Sequence, residues 1–102
     1  MSTGKSNHLL SDGQLEQVAL RFRLLGEPMR LRILQAVCRK PRTVSEIVKA
    51  GGATQANVSK HLGLLAGGGI LARHKEGQCV YYGMKDQLAM KLCALVHKHL
   101  VS

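Results

Sequence analysis

The sequence predicts a mainly α fold with a small β element, a winged helix-turn-helix of about five helices plus a two-stranded β-hairpin wing. Three observations predict it. Thr43 to Ala66 reads as two short amphipathic helices around Gly51-Gly52. Ile70 to Lys75 and Gln78 to Gly83 are rich in β-formers and join across Glu76-Gly77 as a hairpin. Aliphatic residues at helical spacing flank this block on both sides.

Residues 1–8 are small, polar and without period, and are expected to form a disordered tail ahead of a single domain over residues 9–102. From Ser11, the apolar residues Leu15, Val18, Ala19, Phe22 and Leu25 recur at helical spacing, with Gly26 as the stop. Glu27-Pro28 opens a second helix with Pro at its first position, where a missing N–H costs nothing. Met29, Leu31, Ile33, Leu34, Val37 and Cys38 coat most of its circumference, so it should be largely buried. The run Arg39-Lys40-Pro41-Arg42 ends it. Thr43 to Glu46 fits the capping-box pattern for a short third helix with Val44, Ile47 and Val48 on one face. Thr54 caps a fourth, Gln55 to Ala66, which Gly67-Gly68-Gly69 terminates. Asp86 to Val101 is a last amphipathic helix.

The charge balance narrows the partners. Fifteen Lys and Arg against six Asp and Glu leave a net charge of +9, which favours a polyanion such as nucleic acid or, second, an acidic membrane surface. No run approaches the roughly 18 apolar residues of a membrane span, and the start has no apolar stretch of signal-peptide length. A cytoplasmic protein without membrane partners is expected. Three cysteines with no CxxC argue against a disulfide framework and suit a reducing compartment. The length suits one small core and is short for an enzyme with separate lobes. Cys93 and His97 on one helix are the one conceivable nucleophilic device, and no orienting third group accompanies them, so no enzyme is expected.

At about 100° per residue, Val58, Leu62 and Leu65 fall on one side of the fourth helix and must face the core. The opposite side carries Ala56, Ser59, Lys60 and Gly63, with Asn57 on the flank and Gln55 at the N-terminal end. Small residues there allow close approach to a groove wall. Gln and Asn suit adenine, and Ser and Lys reach bases or phosphates. The bland alternative is a solvated face. The preceding helix and turn, and the basic hairpin that follows, favour DNA. In the wing, Arg73, Lys75 and Gln78 would touch phosphate or minor groove, the alternative being an ordinary wet hairpin. Tyr81 and Tyr82 point to opposite faces, one inward. His61, beside the apolar stripe, suits packing or a phosphate bond better than base reading. Cys79 is expected to pack beneath the wing.

The segments LGEPMRLRIL, TVSEIVKAGGATQANVSKHLGLL and GGILARHKEGQCVYYGM, in this order and spacing, resemble the arsenic-repressor (ArsR/SmtB) family of bacterial transcriptional regulators from about Leu15 to Leu100. The resemblance implies a homodimeric repressor that binds double-stranded DNA at an inverted-repeat operator and is released by an effector. It also implies pairing of the first and last helices across the dimer, and DNA contacts at Thr54, Gln55, Ala56, Asn57, Ser59 and Lys60. Glu27 departs from the family, which commonly has Asp, a better N-cap, before Pro.

The effector is where the family varies. Metal-sensing relatives often place two Cys in and just before the first helix of the helix-turn-helix, and Thr43 to Ala50 has none. Another group binds zinc on the last helix. Here Asp86 and His99 stand where that pattern has its first and third ligands, but Leu88 and Ser102 replace the other two, which disfavours tetrahedral zinc. Sulfide- or oxidant-sensing relatives pair Cys residues from the second and last helices, and Cys38 and Cys93 lie on those helices. The alternative is that both act as small buried hydrophobes. Cys93 with His97 and Met90 is a weak soft-metal corner. No cofactor is required, then, while a metal ion or thiol modification is a possible effector. A constitutive DNA-binding winged-helix protein that senses nothing is the rival reading.

Overall fold

A computed structural model of the chain describes residues 9–51 and 53–102. Five helices and three strands run in the order α1 (Asp12–Leu25), α2 (Pro28–Val37), β1 (Arg42–Thr43), α3 (Val44–Gly51), α4 (Gln55–Gly67), β2 (Leu71–Glu76), β3 (Cys79–Met84) and α5 (Leu88–Val101). The expected tail over residues 1–8 and the turn residue Gly52 lie outside the described residues.

Local chemistry sets the helix starts. Ser11 Oγ accepts from the Gln14 N–H at 3.2 Å, while the Ser11 N–H donates to Gln14 Oε1 at 2.9 Å, a complete capping box on α1. Glu27 caps α2 by accepting the Arg30 N–H at 3.1 Å, so the longer carboxylate does reach the orphan donor. Burial pushes the Glu27 carboxyl up, but backbone N–H bonds from Arg30 and Met29 and the charges of His61 and Arg30 outweigh it, and its pKa is lowered. Thr43 and Glu46 form the second capping box, at 3.0 and 3.2 Å, on α3. Thr54 Oγ1 accepts the Asn57 N–H at the start of α4.

The sheet differs from the expected hairpin in two ways. It has three antiparallel strands in the order β1-β3-β2, because Arg42 and Thr43 extend out of the α2–α3 connection and pair with Tyr82 and Tyr81. The hairpin also turns one residue later than expected. Glu76 pairs with Cys79, leaving Gly77-Gln78 as the two-residue loop, and Gly77 takes the positive φ of 63° that a tight hairpin turn demands at its first position.

The core lies between α2, α3, α4 and the base of the sheet. Ile33, Leu34 and Val37 of α2 meet Ile47 of α3, Val58, Leu62 and Leu65 of α4, and Ile70 and Leu71 at the start of the wing. Full burial of each Leu or Ile contributes about 1.5–3 kcal/mol. At Gly68 the chain passes so close to Leu24 that a Cβ would overlap that side chain, so glycine lets α1 lie against the end of α4. Tyr82 and Met84 pack on the core from β3.

The outer helices are different. On α1, Leu24 and Leu25 are buried, but Leu15, Val18, Leu20 and Phe22 are exposed, and on α5 Ala89 alone is buried while Leu88, Leu95, Val96, Leu100 and Val101 are exposed. The chain is correspondingly extended, with a Cα radius of gyration of 16.1 Å, against about 13 Å for a compact domain of this length.

Candidate nucleic-acid interface

The candidate interface lies on α4 and the wing. Val58, Leu62 and Leu65 are 1%, 0% and 0% exposed, which fixes one side of α4 in the core. Thr54, Gln55, Ala56, Asn57, Ser59, Lys60 and Gly63 are all exposed. The six residues singled out from sequence are therefore all exposed, at the N-cap and over the first two turns of α4. No acidic residue stands in the first turn of α4. The unpaired N–H groups and the positive end of the helix dipole add to the Lys60 charge there.

The wing continues the surface. Arg73 and Lys75 lie on the same side of β2 as buried Leu71, pairing with Tyr82 and Val80, and both are exposed where the strand runs out beyond the core. Gln78 is exposed in the turn. On the other side of the hairpin His74 stacks on Tyr81, with ring centroids 5.5 Å apart and planes 19° apart. The Tyr81 hydroxyl is pushed above its ordinary pKa, mainly by Cys79, then by burial and by Glu76 and Glu46. Cys79 does not pack beneath the wing. It is exposed at the outer end of β3, opposite Glu76, because the turn falls a residue later than the sequence suggested.

Two arginines absent from the sequence reading tie this surface to the outer helices. Arg30 donates from Nε to the Leu24 carbonyl at 2.8 Å and from Nη2 to the Arg23 carbonyl at 3.1 Å, and its Nη1 lies 3.3 Å from His61 Nδ1 on α4. Arg21 donates to the Gly68 carbonyl at 3.1 Å and pairs with Asp86 at 3.3 Å. The bridges to His61, Gly68 and Asp86 join residues far apart in the chain and leave no periodic trace. The nearest sequence signal was the position of His61 on the shoulder of the apolar stripe.

The residues weighed as effector candidates are spread out. Asp86 is held by Arg21 and also accepts the Leu88 N–H at the start of α5. Cys38 caps the end of α2, its thiol donating to the Gln35 carbonyl at 3.2 Å, and lines a hollow with Pro41, Ala72, His74 and Gly83. Cys93 and His97 line a different hollow of about 300 Å³ with Phe22, Leu25, Leu92 and Val96, and the two hollows have no wall residue in common. His99 is exposed in the last turn of α5. Among the described residues of one chain, no three of His, Cys, Asp and Glu converge as a metal site. With Asp86 committed to Arg21, the donor set does not fit tetrahedral zinc within a protomer.

A helix-turn-helix followed by a basic hairpin, with an outward-facing second helix, defines a winged helix-turn-helix protein. Residues 27–72 match the profile of the bacterial regulatory proteins of the arsR family. The chain is 35% identical over 74 residues to the probable mercury resistance operon repressor of Streptomyces lividans, covering 72% of this chain and 59% of that protein's length. It is 30% identical over 92 residues to the transcriptional repressor SmtB homolog of Synechocystis sp., covering 90% of this chain and 70% of that one. The solution structure of the homodimeric winged helix-turn-helix DNA-binding domain of a possible ArsR-family regulator from Mycobacterium bovis superposes with a TM-score of 0.77 at 30% identity, covering 91% of this chain and 89% of that one. The chain belongs to the arsR family of bacterial regulatory proteins. No described helix is long and apolar enough to cross a membrane.

Proposed function

We propose that the chain is a homodimeric repressor that reads an inverted-repeat operator with the outward face of α4 and is released by an effector acting outside the helix-turn-helix. The observation that carries the reading is the division of α4, whose core side is sealed while Gln55, Ala56, Asn57, Ser59 and Lys60 stand free at its N-terminal half. In a two-fold dimer the two copies of α4 would enter successive major grooves about 34 Å apart. The exposed apolar sides of α1 and α5 supply the surface that a second copy would cover. Arg73, Lys75 and Gln78 then lie beside the backbone and fix register, with base contacts left to Gln55, Asn57, Ser59 and Lys60.

For the effector, Cys93 is the residue of choice, since it sits half-buried between the apolar faces of α1 and α5 where any added group would disturb their packing against a second copy. A thiol-reactive species or a soft metal ion suits it. The experiment is a gel-shift titration on a duplex selected from a random pool. Lys60→Ala and Gln55→Ala should weaken specific binding, and unchanged affinity in Lys60→Ala contradicts the assignment of α4. Cys38→Ser and Cys93→Ser are then scored for release by Zn²⁺, Cu(I), arsenite, persulfide and peroxide. Release of wild type that Cys93→Ser abolishes supports the reading. No release by any of them favours a constitutive winged-helix protein, for which the separate hollows of Cys38 and Cys93 speak.

A further inference from the structure

The contacts that hold α4 in the core are aliphatic and non-directional. Val58, Leu62 and Leu65 resist its withdrawal, but being apolar they add no directed bond that would fix its rotation to hydrogen-bond precision. Side-chain tips on a helix lie about 5–6 Å from the axis, so a rotation of about 10° moves them about 1 Å. A displacement of that size takes a bidentate base contact out of hydrogen-bond geometry. The directed bond that reaches α4 from α2 is the one from Arg30 to His61, and it meets α4 on the shoulder between its core side and Lys60. His61 accepts there only as the tautomer that carries its proton on Nε2. The guanidinium is itself immobilised. Its Nε and Nη2 are spent on the last carbonyls of α1, and the backbone N–H of Arg30 is fixed by Glu27.

We infer that Arg30 is a positioning residue for DNA reading, which sets the rotation of α4 through His61 from an anchor on the end of α1. The inference rests on α4 being the reading helix. Arg30 also caps α1, so Arg30→Met can lose stability for that reason alone, and the discriminating variants are at His61. Asn places its Oδ1 close to the position of the imidazole Nδ1 and preserves the acceptor. Leu removes it at similar volume.

The test measures binding to the duplex selected by wild type and to a mixed-sequence duplex, together with melting temperature and sedimentation. His61→Leu should bind the selected duplex roughly tenfold more weakly, with affinity for the mixed duplex, melting and dimer unchanged. His61→Asn should stay within about twofold of wild type, and Arg30→Met with His61→Leu should bind no more weakly than Arg30→Met alone. The inference is overturned if His61→Leu binds the selected duplex like wild type, if its loss is equal on both duplexes or follows a fall in melting temperature, or if His61→Asn is as weak as His61→Leu. Lys60→Ala run alongside separates the two levels. Specific binding lost in Lys60→Ala and kept in His61→Leu removes the Arg30 proposal and leaves the reading helix standing, whereas binding kept in both removes the reading helix itself.

Discussion

Phe22→Ala should dissociate the dimer while leaving the folded protomer intact. Phe22 is 59% exposed in the single chain, although it lies between two hollows lined by α1 and α5 residues. A phenylalanine presents on the order of 200 Å², so the exposed fraction leaves about 120 Å² of apolar surface to be covered by a second copy. At about 25 cal/mol per Å² that is about 3 kcal/mol per protomer, and two-fold symmetry doubles it to about 6 kcal/mol for the pair. Alanine retains part of this area and neighbours relax toward the gap, so a net loss of about 3 kcal/mol is expected, a dissociation constant raised about a hundredfold. Sedimentation equilibrium over a dilution series measures it directly. Circular dichroism should show the same helix content in both proteins, because Phe22 is no part of the buried core. Dimerisation unchanged in Phe22→Ala, or a wild-type chain that is monomeric at micromolar concentration, refutes the assignment of the α1 and α5 faces.

Gly68→Ala should lower stability by about 1–3 kcal/mol in chemical denaturation, since its Cβ overlaps the tip of the buried Leu24 side chain, which must repack, and crowds the Leu64 carbonyl. Thr54→Ala, which deletes the acceptor for the Asn57 N–H, should cost about 1 kcal/mol of stability and weaken specific DNA binding as the start of α4 frays. Arg73→Ala and Lys75→Ala should lower affinity for all duplexes alike, each reducing the slope of log affinity against log salt by about 1 in titrations at several ionic strengths. The Glu46 carboxyl is held below its ordinary pKa, chiefly by the Thr43 N–H bond, so its contribution is present in full above the unfolded value and is lost as pH falls through the folded one. Thermal melts of wild type and Glu46→Ala should therefore differ at neutral pH and converge in acid, with a constant difference counting against the capping box.

Much of this architecture could be read from local chemistry. The caps at Thr43 and Thr54 and the core face of α4 follow from side-chain reach and helical period, which act within a few residues. What escaped the sequence is long-range. β1 is two residues long, and its strand character comes from pairing with Tyr81 and Tyr82 some forty positions on. The hairpin turns at Gly77-Gln78, one residue later than expected, with Gly77 taking the positive φ of the first loop position, which glycine adopts without steric cost. Nothing local marks the distant partners of Arg21 and Arg30, and the fold alone brings Arg21 to the Gly68 carbonyl at the end of α4 and Arg30 to His61. The amphipathic reading of α1 was sound in pattern, but its stripe is largely uncovered in one chain, because period reveals that a face is apolar and not which chain buries it. For the same reason the cysteines looked closer in purpose than they are in place. Cys38 closes α2 near the wing, whereas Cys93 lies between the outer helices.

The central claim is that the outward strip of α4 reads base edges, twice, in a two-fold dimer. Hydroxyl-radical footprinting of wild type and Lys60→Ala on the selected duplex tests it most directly. Wild type should protect two half-sites related by two-fold symmetry, with centres about one helical turn, about 34 Å, apart, and Lys60→Ala should lose both together. A single protected stretch, or a wild-type pattern that Lys60→Ala leaves unchanged, would contradict it.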